Sequence, residues 1–317
     1  MCMRPLGSTG LQVSEVGLGG VWFASLADAA KHAAVIRAAV DAGVNVVDTA
    51  PGYKDSEEVV GRALEEGLRS RVILSTKYYP YGEEDKVALS GDRMRASLER
   101  SLARLRTDHL DILHLHWVHS AEDVLAIASG ELGEALHAEK KGGRVRHIAV
   151  SEASEMDGEH RMLEAAIPTG LFEVVMVTHN VLLQTAEKNV LPLARKHGTG
   201  VLVMMPFNQP MGKMGLINRE FAAAGVKRLV EKGALPDRAP YNQAEVMDFL
   251  TEGTKMSLPQ AALRFVLDRP EVSCVLIGTS SLTHLSENLS ASSLPPLSPS
   301  VSAKARELFG SVVIQDK

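Results

Sequence analysis

The sequence predicts an α/β fold, a closed (β/α)8 barrel of the TIM type, and two patterns lead to it. Short apolar segments rich in Val, Ile and Leu recur along the 317 residues, and longer amphipathic stretches separate them. Parallel strands need such crossovers, and eight strands alternating with helices indicate a closed parallel barrel. Neither a linker nor a low-complexity tract breaks the pattern, so we expect a single domain over residues 1–317.

Eight apolar segments are the expected strands. They span residues 15–19, 44–47, 71–76, 110–116, 147–151, 173–177, 200–205 and 274–277. Helix signals lie between them: Gly43 suits a left-handed C-cap, while Ser56 and Asp92 are expected N-caps. An apolar stripe at helical spacing supports the helix after Asp92; it consists of Met94, Leu98, Leu102 and Leu105.

Two segments depart from a minimal barrel. Residues 4–13 hold a Gly-Ser-Thr-Gly turn between short segments, which predicts an N-terminal β-hairpin that closes one end of the barrel. Residues 207–241 form a long insertion after the seventh strand. Loops of that length usually have a function, and in a barrel this one lies on the face that carries active sites.

The composition argues against several classes of partner. The net charge is -5 and the charged residues are interleaved, so we expect neither nucleic acid nor a membrane as partner. Cys2 and Cys274 indicate free thiols rather than a disulfide framework. Residues 1–10 lack the apolar core of a secretory signal. We therefore expect a cytoplasmic location, with a monomer or a small homo-oligomer as the assembly.

Four polar residues lie at or just after the ends of three consecutive expected strands. Asp48 ends the second strand, Tyr53 follows in the adjoining loop, Lys77 ends the third and His116 ends the fourth. Carboxyl ends of barrel strands meet at the mouth, where small molecules bind. Taken singly, each residue also has a structural interpretation: a buried ion pair, a loop aromatic, a core histidine. Together they indicate a catalytic site.

The blocks around these residues resemble the signature of the aldo-keto reductase superfamily. The resemblance covers almost the whole chain, and its blocks come in the right order at the expected strand ends. They are Asp48-Thr-Ala-Pro-Gly-Tyr53 with Ser56, Glu57 and Gly61, then Ser75-Thr-Lys77, Asp111-Ile-Leu-His-Leu-His-Trp117, Val150-Ser151 and Ser286-Glu-Asn288. The resemblance implies an oxidoreductase of the EC 1.1.1 type. Such an enzyme transfers hydride between a nicotinamide cofactor and the carbonyl of an aldehyde, ketone or sugar-like substrate.

Carbonyl reduction explains why these residue types are needed. A carbonyl that accepts hydride develops negative charge on oxygen, so it needs a proton donor and a stabilising field. Tyr53 is the natural donor, and an adjacent ammonium, Lys77, would favour its phenolate form. Asp48 would pair with Lys77 and hold it, and neutral His116 would orient the carbonyl oxygen. The resemblance implies the same four roles.

The resemblance also implies a cofactor site, with three departures from the family pattern. Glu152 stands where the family usually has Asn, Met176 where it has Gln, and Met204 where it often has an aromatic residue. The segment 278–284 offers hydroxyls and a helix N-terminus, but neither Lys nor Arg to hold a 2′-phosphate. NADPH is favoured on family grounds, and NADH is the alternative. The expected cofactor residues are Gly20, Asp48, Ser151, Glu152, Met176, Met204, Pro206, Phe207, Gly278, Thr279, Ser280, His284, Glu287 and Asn288.

Aromatic side chains are expected around the substrate. They suit stacking on a sugar ring or an aryl aldehyde, and they can equally be packing residues. The expected substrate residues are Trp22, Tyr53, Tyr79, His116 and Trp117.

Two other functions fit parts of the sequence. A metal-dependent hydrolase on the same fold would use the cluster of His114, His116 and His119 as ligands, although a histidine that fills the barrel interior explains His114 without metal, and we expect none. A cofactor-sensing regulatory protein without turnover would explain the departures at Glu152, Met176 and Met204, but the four catalytic residues are complete.

Overall fold

A computed structural model describes residues 1–65, 67–82, 86–207 and 218–314, and a closed parallel barrel lies at its centre. The barrel has the order β10-β3-β4-β5-β6-β7-β8-β9, which confirms the predicted fold class. Its strands are β3 Val16–Gly19, β4 Val46–Asp48, β5 Ile73–Tyr78, β6 Leu110–Val118, β7 Val145–Glu152, β8 Val174–Thr178, β9 Gly200–Met204 and β10 Cys274–Ile277.

Helices lie between successive strands of the barrel, and two more, α10 and α11, follow its last strand. They are α1 Ala29–Asp41, α2 Ser56–Ala63, α3 Gly91–Leu105, α4 Ala121–Ser129, α5 Glu131–Lys141, α6 Arg161–Ala166, α7 Ala186–His197, α8 Arg219–Glu231, α9 Leu258–Leu267, α10 Leu282–Ser290 and α11 Pro299–Phe309. Within the described ranges, none of them is long and apolar enough to cross a membrane.

The N-terminal hairpin seals one end of the barrel, as predicted. Its strands β1 (Met3–Pro5) and β2 (Gln12–Ser14) pair antiparallel. Leu6 and Val13 are fully buried and belong to the same apolar cluster as the interior of the barrel. The guanidinium of Arg4 fastens the hairpin by donating to the carbonyl oxygens of Leu267 (2.8 Å) and Val272 (2.9 Å). The mouth is the opposite end of the barrel, at the carboxyl ends of its strands.

Alternation along the strands divides the core into two clusters. A large cluster lies between the strands and the helices. A smaller one fills the interior of the barrel; its strand members are Val46, Ile73, Ile112, Ala149, Val174, Met176, Leu202, Cys274 and Leu276. Gly17 makes room for it, because a Cβ there would lie 2.9 Å from the sulfur of Cys274. Residues two and four positions after an interior residue on the same strand also face inward, towards the mouth.

The insertion after the seventh barrel strand is described in part. Residues 208–217 lie outside the described residues, and α8 follows them. Asn218 caps this helix, because its side-chain oxygen accepts a hydrogen bond from Phe221 N at 2.8 Å.

Several predicted element ends were wrong by a few residues, for local reasons. The second barrel strand begins at Val46 rather than Val44, because the amide of Val44 donates to Ala39 O and completes the end of α1. The N-cap of α3 is Ser90, not Asp92, and its hydroxyl accepts from Arg93 N. Ser56 is the first residue of α2 and does not cap it, since its hydroxyl is used elsewhere.

Candidate active site

Alternation brings three of the predicted catalytic residues to the mouth of the barrel. Asp48 lies two residues after the interior residue Val46. Lys77 lies four residues after Ile73, and His116 four residues after Ile112. The sequence analysis placed Lys77 and His116 at the last positions of their strands, and this was wrong. β5 continues to Tyr78 and β6 to Val118.

Lys77 and Asp48 form a buried ion pair. The ammonium contacts Asp48 Oδ2 and also donates to Thr49 O at 2.9 Å. The second carboxylate oxygen of Asp48 accepts from the hydroxyl of Ser75 at 2.8 Å. Burial lowers the pKa of Lys77, but the charge of Asp48 and the hydroxyl of Tyr53 outweigh it, so the pKa is raised above 10.5. Lys77 is therefore a permanent cation at neutral pH.

The ring of Tyr53 lies against this cation. The Lys77 nitrogen is 4.9 Å from the ring centroid, a distance at which an ammonium and an aromatic face attract one another. The Tyr53 ring also meets the His116 ring edge-on, with centroids 6.0 Å apart and an interplanar angle of 86°. A phenol, an ammonium and an imidazole thus converge on one point of the mouth.

A hydrogen-bond relay holds the loop that presents Tyr53. The hydroxyls of Thr49 and Ser56 are 2.7 Å apart, and Ser56 donates to Gly20 O at 2.7 Å. Gly20 was predicted to contact the cofactor. The structure gives it a packing reason as well, because a Cβ there would lie 2.7 Å from Ser56 Oγ and 2.8 Å from Asp48 O.

His116 is neutral. Burial, and then the charge of Lys77, lower its pKa to about 3. A neutral imidazole can donate one hydrogen bond to a carbonyl oxygen, which is the role predicted for it. The next residue, Trp117, has a left-handed backbone (φ 54°), and the strand pairing shifts register there. The amide of Trp117 donates to Ser151 Oγ at 3.1 Å, so β7 supports the turn that follows His116.

The three departures from the family pattern occupy different places. Met176 belongs to the interior cluster below the mouth, and Met204 packs against that cluster. Ser151 shares that face, two residues after Ala149. Glu152 does not: it follows Ser151 on the opposite face, and its carboxylate is bound to His160 (2.6 Å) and to Thr178 N (2.7 Å). The predicted contact between Glu152 and the cofactor gains no support from this geometry.

Other predicted cofactor residues lie at the ends of β9 and β10. Pro206 is buried, and Phe207 packs against the outer core cluster. Gly278 follows β10, and a Cβ there would overlap the indole of Trp22. The remaining residues lie before or in α10; they are Thr279, Ser280, His284, Glu287 and Asn288. Of these, Thr279 and Asn288 are buried and the others are partly exposed.

Aromatic residues line one side of the mouth. Tyr79 and Trp117, both predicted, are 40% and 37% exposed. Sequence reasoning missed the support beneath them. The ring of Tyr81 stacks on His119 with centroids 3.8 Å apart, and its hydroxyl accepts from His119 N at 2.7 Å and donates to Asp123 at 2.9 Å. The run of aromatic residues in Tyr78-Tyr-Pro-Tyr81 was the sequence signal that could have indicated this support.

The three histidines of the hydrolase alternative have different surroundings. His114 is fully buried in the barrel interior, His116 faces Tyr53 and His119 stacks on Tyr81. In the part of the chain that the structure describes, three or more residues suited to hold a metal ion do not come together.

Comparisons with known proteins identify the family. The model of the aldo/keto reductase family matches residues 15–309. L-galactose dehydrogenase of Arabidopsis thaliana is 30% identical over 306 residues, covering 91% of this chain and 87% of the relative. NADH-specific methylglyoxal reductase of Escherichia coli (strain K12) is 28% identical over 317 residues, covering 90% and 92%. Aldo-keto reductase AKR11C1 from Bacillus halodurans, in its holo form, has a TM-score of 0.72 and 25% identity, covering 99% of this chain and 98% of its own.

The chain belongs to the aldo/keto reductase family. It is an oxidoreductase that transfers hydride between a nicotinamide cofactor and a carbonyl group. This confirms the recognition and the general function predicted from the sequence, and the metal-dependent hydrolase is not favoured.

Proposed function

We propose that the protein reduces the carbonyl of an aldehyde, ketone or sugar-like substrate with Tyr53 as the general acid. The observation that carries the proposal is the position of Lys77, bonded to Asp48 and 4.9 Å from the ring of Tyr53. The ammonium favours the phenolate that remains after Tyr53 donates its proton, so the proton moves more readily to the nascent alkoxide. Neutral His116 donates to the carbonyl oxygen and orients it. The same groups serve alcohol oxidation in the reverse direction.

The residues at the mouth suit a nicotinamide nucleotide, which supplies the hydride when bound. Ser151 offers a hydroxyl on the interior face. The first-turn amides of α10, beside Gly278 and Thr279, suit an anionic phosphate. The indole of Trp22 against Gly278 gives this edge an aromatic surface. His284, Glu287 and Asn288 are proposed at the adenosine end, and Met176 and Met204 below the nicotinamide.

NADPH is the first cofactor to test and NADH the second. Residues 278–288 contain no Lys or Arg to pair with a 2′-phosphate, and one relative is named as NADH-specific. The substrate is proposed to lie against Trp22, Tyr79 and Trp117, whose faces suit a sugar ring or an aryl group. A single domain over residues 1–317, a cytoplasmic location, and a monomer or small homo-oligomer remain predictions.

A fluorescence titration tests the proposal. The chain has two tryptophans, Trp22 and Trp117, and both lie at the mouth, so bound NADPH or NADH should quench their emission. Saturable quenching is followed by a panel of aldehydes, ketones and sugars, with Tyr53→Phe as the blank. Cofactor binding without turnover on the panel would favour the regulatory alternative. Absence of quenching by either cofactor would overturn the proposed site.

A further inference from the structure

A buried charge pair lies behind the barrel wall, beside the mouth. Glu152 ends β7 and is fully buried, and His160, just before α6, is 2% exposed. Oε2 of Glu152 is 2.6 Å from Nδ1 of His160, and Oε1 accepts from the backbone amide of Thr178 in β8 at 2.7 Å. The carboxylate therefore ties together the loop before α6 and the mouth ends of two barrel strands.

The hydrogen bonds of His160 define its charge. Its Nε2 is 2.8 Å from the hydroxyl of Thr185, and that hydroxyl donates its single proton to Gly158 O at 3.1 Å. In this arrangement Thr185 accepts from Nε2–H, while Nδ1–H donates to Glu152. An imidazole that donates from both nitrogens is protonated. Consistently, burial lowers the pKa of His160, but Glu152, and to a lesser degree Asp157 and Glu164, raise it above 6.5.

Two peptide links and one hydrogen bond connect this pair to His116. Ser151 directly precedes Glu152, and its hydroxyl accepts from the amide of Trp117. Trp117 has a left-handed backbone, which is unfavourable for a bulky side chain, and it directly follows His116. The end of β7 therefore holds a strained turn in the conformation that presents His116 to Tyr53.

We propose that Glu152 and His160 are positioning residues: the hydrogen bond from His160 Nδ1 to Glu152 fixes the end of β7 and, through Ser151 and Trp117, the place of His116 at the mouth. The kinetic consequence rests on the proposed function, since it requires His116 to orient the substrate carbonyl. The structural consequence, a Trp117 turn that loosens when this hydrogen bond is broken, does not depend on it.

Two variants separate the two bonds of His160. An asparagine amide nitrogen occupies the place of Nδ1, and a glutamine amide nitrogen that of Nε2. His160→Asn thus keeps a donor for Glu152, and Asn tolerates the left-handed backbone at this position (φ 61°). His160→Gln keeps the donor for Thr185 and loses the one for Glu152. His137→Gln, at an exposed position in α5, is the matched control.

The experiment has an arm without cofactor and an arm with turnover. In a Trp22→Phe background Trp117 is the remaining tryptophan, and acrylamide quenching of its emission reports the turn in the free protein. We expect stronger quenching in His160→Gln and near wild-type quenching in His160→Asn and His137→Gln. In the turnover arm, with Trp22 restored, kcat should fall about tenfold or more in His160→Gln, with the KM for cofactor changed less than kcat.

Equal Trp117 quenching in His160→Gln and His160→Asn would overturn the inference and leave the pair a purely structural one, whatever its effect on Tm. If the wild-type protein neither binds nor turns over a nicotinamide cofactor, the proposed function fails and the quenching arm still decides. If His160→Gln does not fold, Glu152→Gln replaces it. That variant retains an acceptor for Thr178 and places an amide NH2 opposite Nδ1–H of His160, which breaks the same hydrogen bond, so its Trp117 quenching should exceed that of wild type.

Discussion

The ammonium of Lys77 is shared between Asp48, which contacts it directly, and Tyr53, whose ring centroid lies 4.9 Å away. Thr49 O accepts a hydrogen bond from the same ammonium at 2.9 Å. With the carboxylate and the carbonyl fixed by buried neighbours, the cation cannot move away from the phenol at low cost. The chemistry proposed for Tyr53 therefore depends on a charge that the fold holds in place.

Replacing Tyr53 with Phe should abolish most turnover without unfolding the protein. The ring stays against Lys77, while the proton donor is lost, and loss of a general acid typically costs about 10²–10⁴-fold in kcat. Steady-state kinetics on the best substrate of the panel measure the effect. Tyr241→Phe is the control, since it removes a hydroxyl that donates to Leu308 O at 3.1 Å and should leave kcat near wild type. A Tyr53→Phe variant that retains more than about a tenth of kcat would contradict the assignment.

Replacing Asp48 with Asn should destabilise the fold as well as impair turnover. The substitution leaves the buried ammonium of Lys77 without a counter-charge, and removal of one partner of a buried pair costs about 3–5 kcal/mol. Urea unfolding followed by far-UV circular dichroism measures the free energy of unfolding. Asp92→Asn is the matched control: it breaks an ion pair with Arg95 at 3.0 Å whose carboxylate is 92% exposed, and such pairs contribute about 0–1 kcal/mol. Equal effects of the two substitutions would argue against the buried pair.

The barrel, and the meeting of Asp48, Lys77 and His116 at its mouth, could be predicted from the sequence because both follow from the strand pattern; the catalytic roles of these residues came from the family resemblance and remain proposals. The apolar segments recur with the spacing of βα units. The side chains of Asp48, Lys77 and His116 lie at the alternate positions of their strands that face the barrel interior. Tyr53 could be placed because its loop is short and begins at Asp48. An error of one or two residues in a strand end, as at Lys77 and His116, does not change the face on which a side chain lies.

The parts that sequence reasoning missed depend on contacts between residues whose separation in the sequence follows neither the strand repeat nor the helix repeat. Glu152 was expected at the cofactor site because it stands where the family usually has Asn. Consecutive residues of a strand face opposite sides, and the carboxylate of Glu152 contacts His160 behind the barrel wall. Nothing in the spacing of these two residues marks a pair, because irregular chain separates them. The stacking of Tyr81 on His119 joins loops that follow two different strands, so no spacing in the sequence marks this contact either.

Buried neutral histidines should make the protein less stable as the pH falls below about 6.5. Burial lowers the pKa of His179 to about 4, and it lowers the pKa of His114 well below 6.5. Between these values and 6.5 the unfolded chain binds protons that the folded chain does not, so the free energy of unfolding falls with falling pH, by up to about 1.4 kcal/mol per pH unit for each such group. His160 acts in the opposite sense: its contribution is complete below 6.5 and is lost as the pH rises through its raised folded-state pKa.

Urea unfolding at pH 7 and pH 5 tests this with His179→Gln, which removes one buried titrating group. The difference in free energy of unfolding between the two pH values should be smaller in the variant than in wild type. His137→Gln, at an exposed position, should keep the wild-type difference. An unchanged difference in His179→Gln would show that this histidine is protonated in the folded protein at pH 5.

Replacing Gly278 with Ala should weaken cofactor binding through Trp22. The new Cβ would overlap the indole, so the ring has to leave the end of β10, and relief of such overpacking costs about 1–3 kcal/mol. If the displaced indole or the shifted backbone intrudes on the proposed phosphate site, the Kd for NADPH or NADH rises by about tenfold for each 1.4 kcal/mol. Quenching titrations measure the Kd, and the emission maximum of the free protein reports the displacement of Trp22 independently.

Gly142→Ala, where a Cβ would lie 3.3 Å from Ala138 O at the end of α5, is the control. A shifted emission maximum with an unchanged Kd would separate the Trp22–Gly278 contact from cofactor binding, whereas a raised Kd would place the contact at the edge of that site.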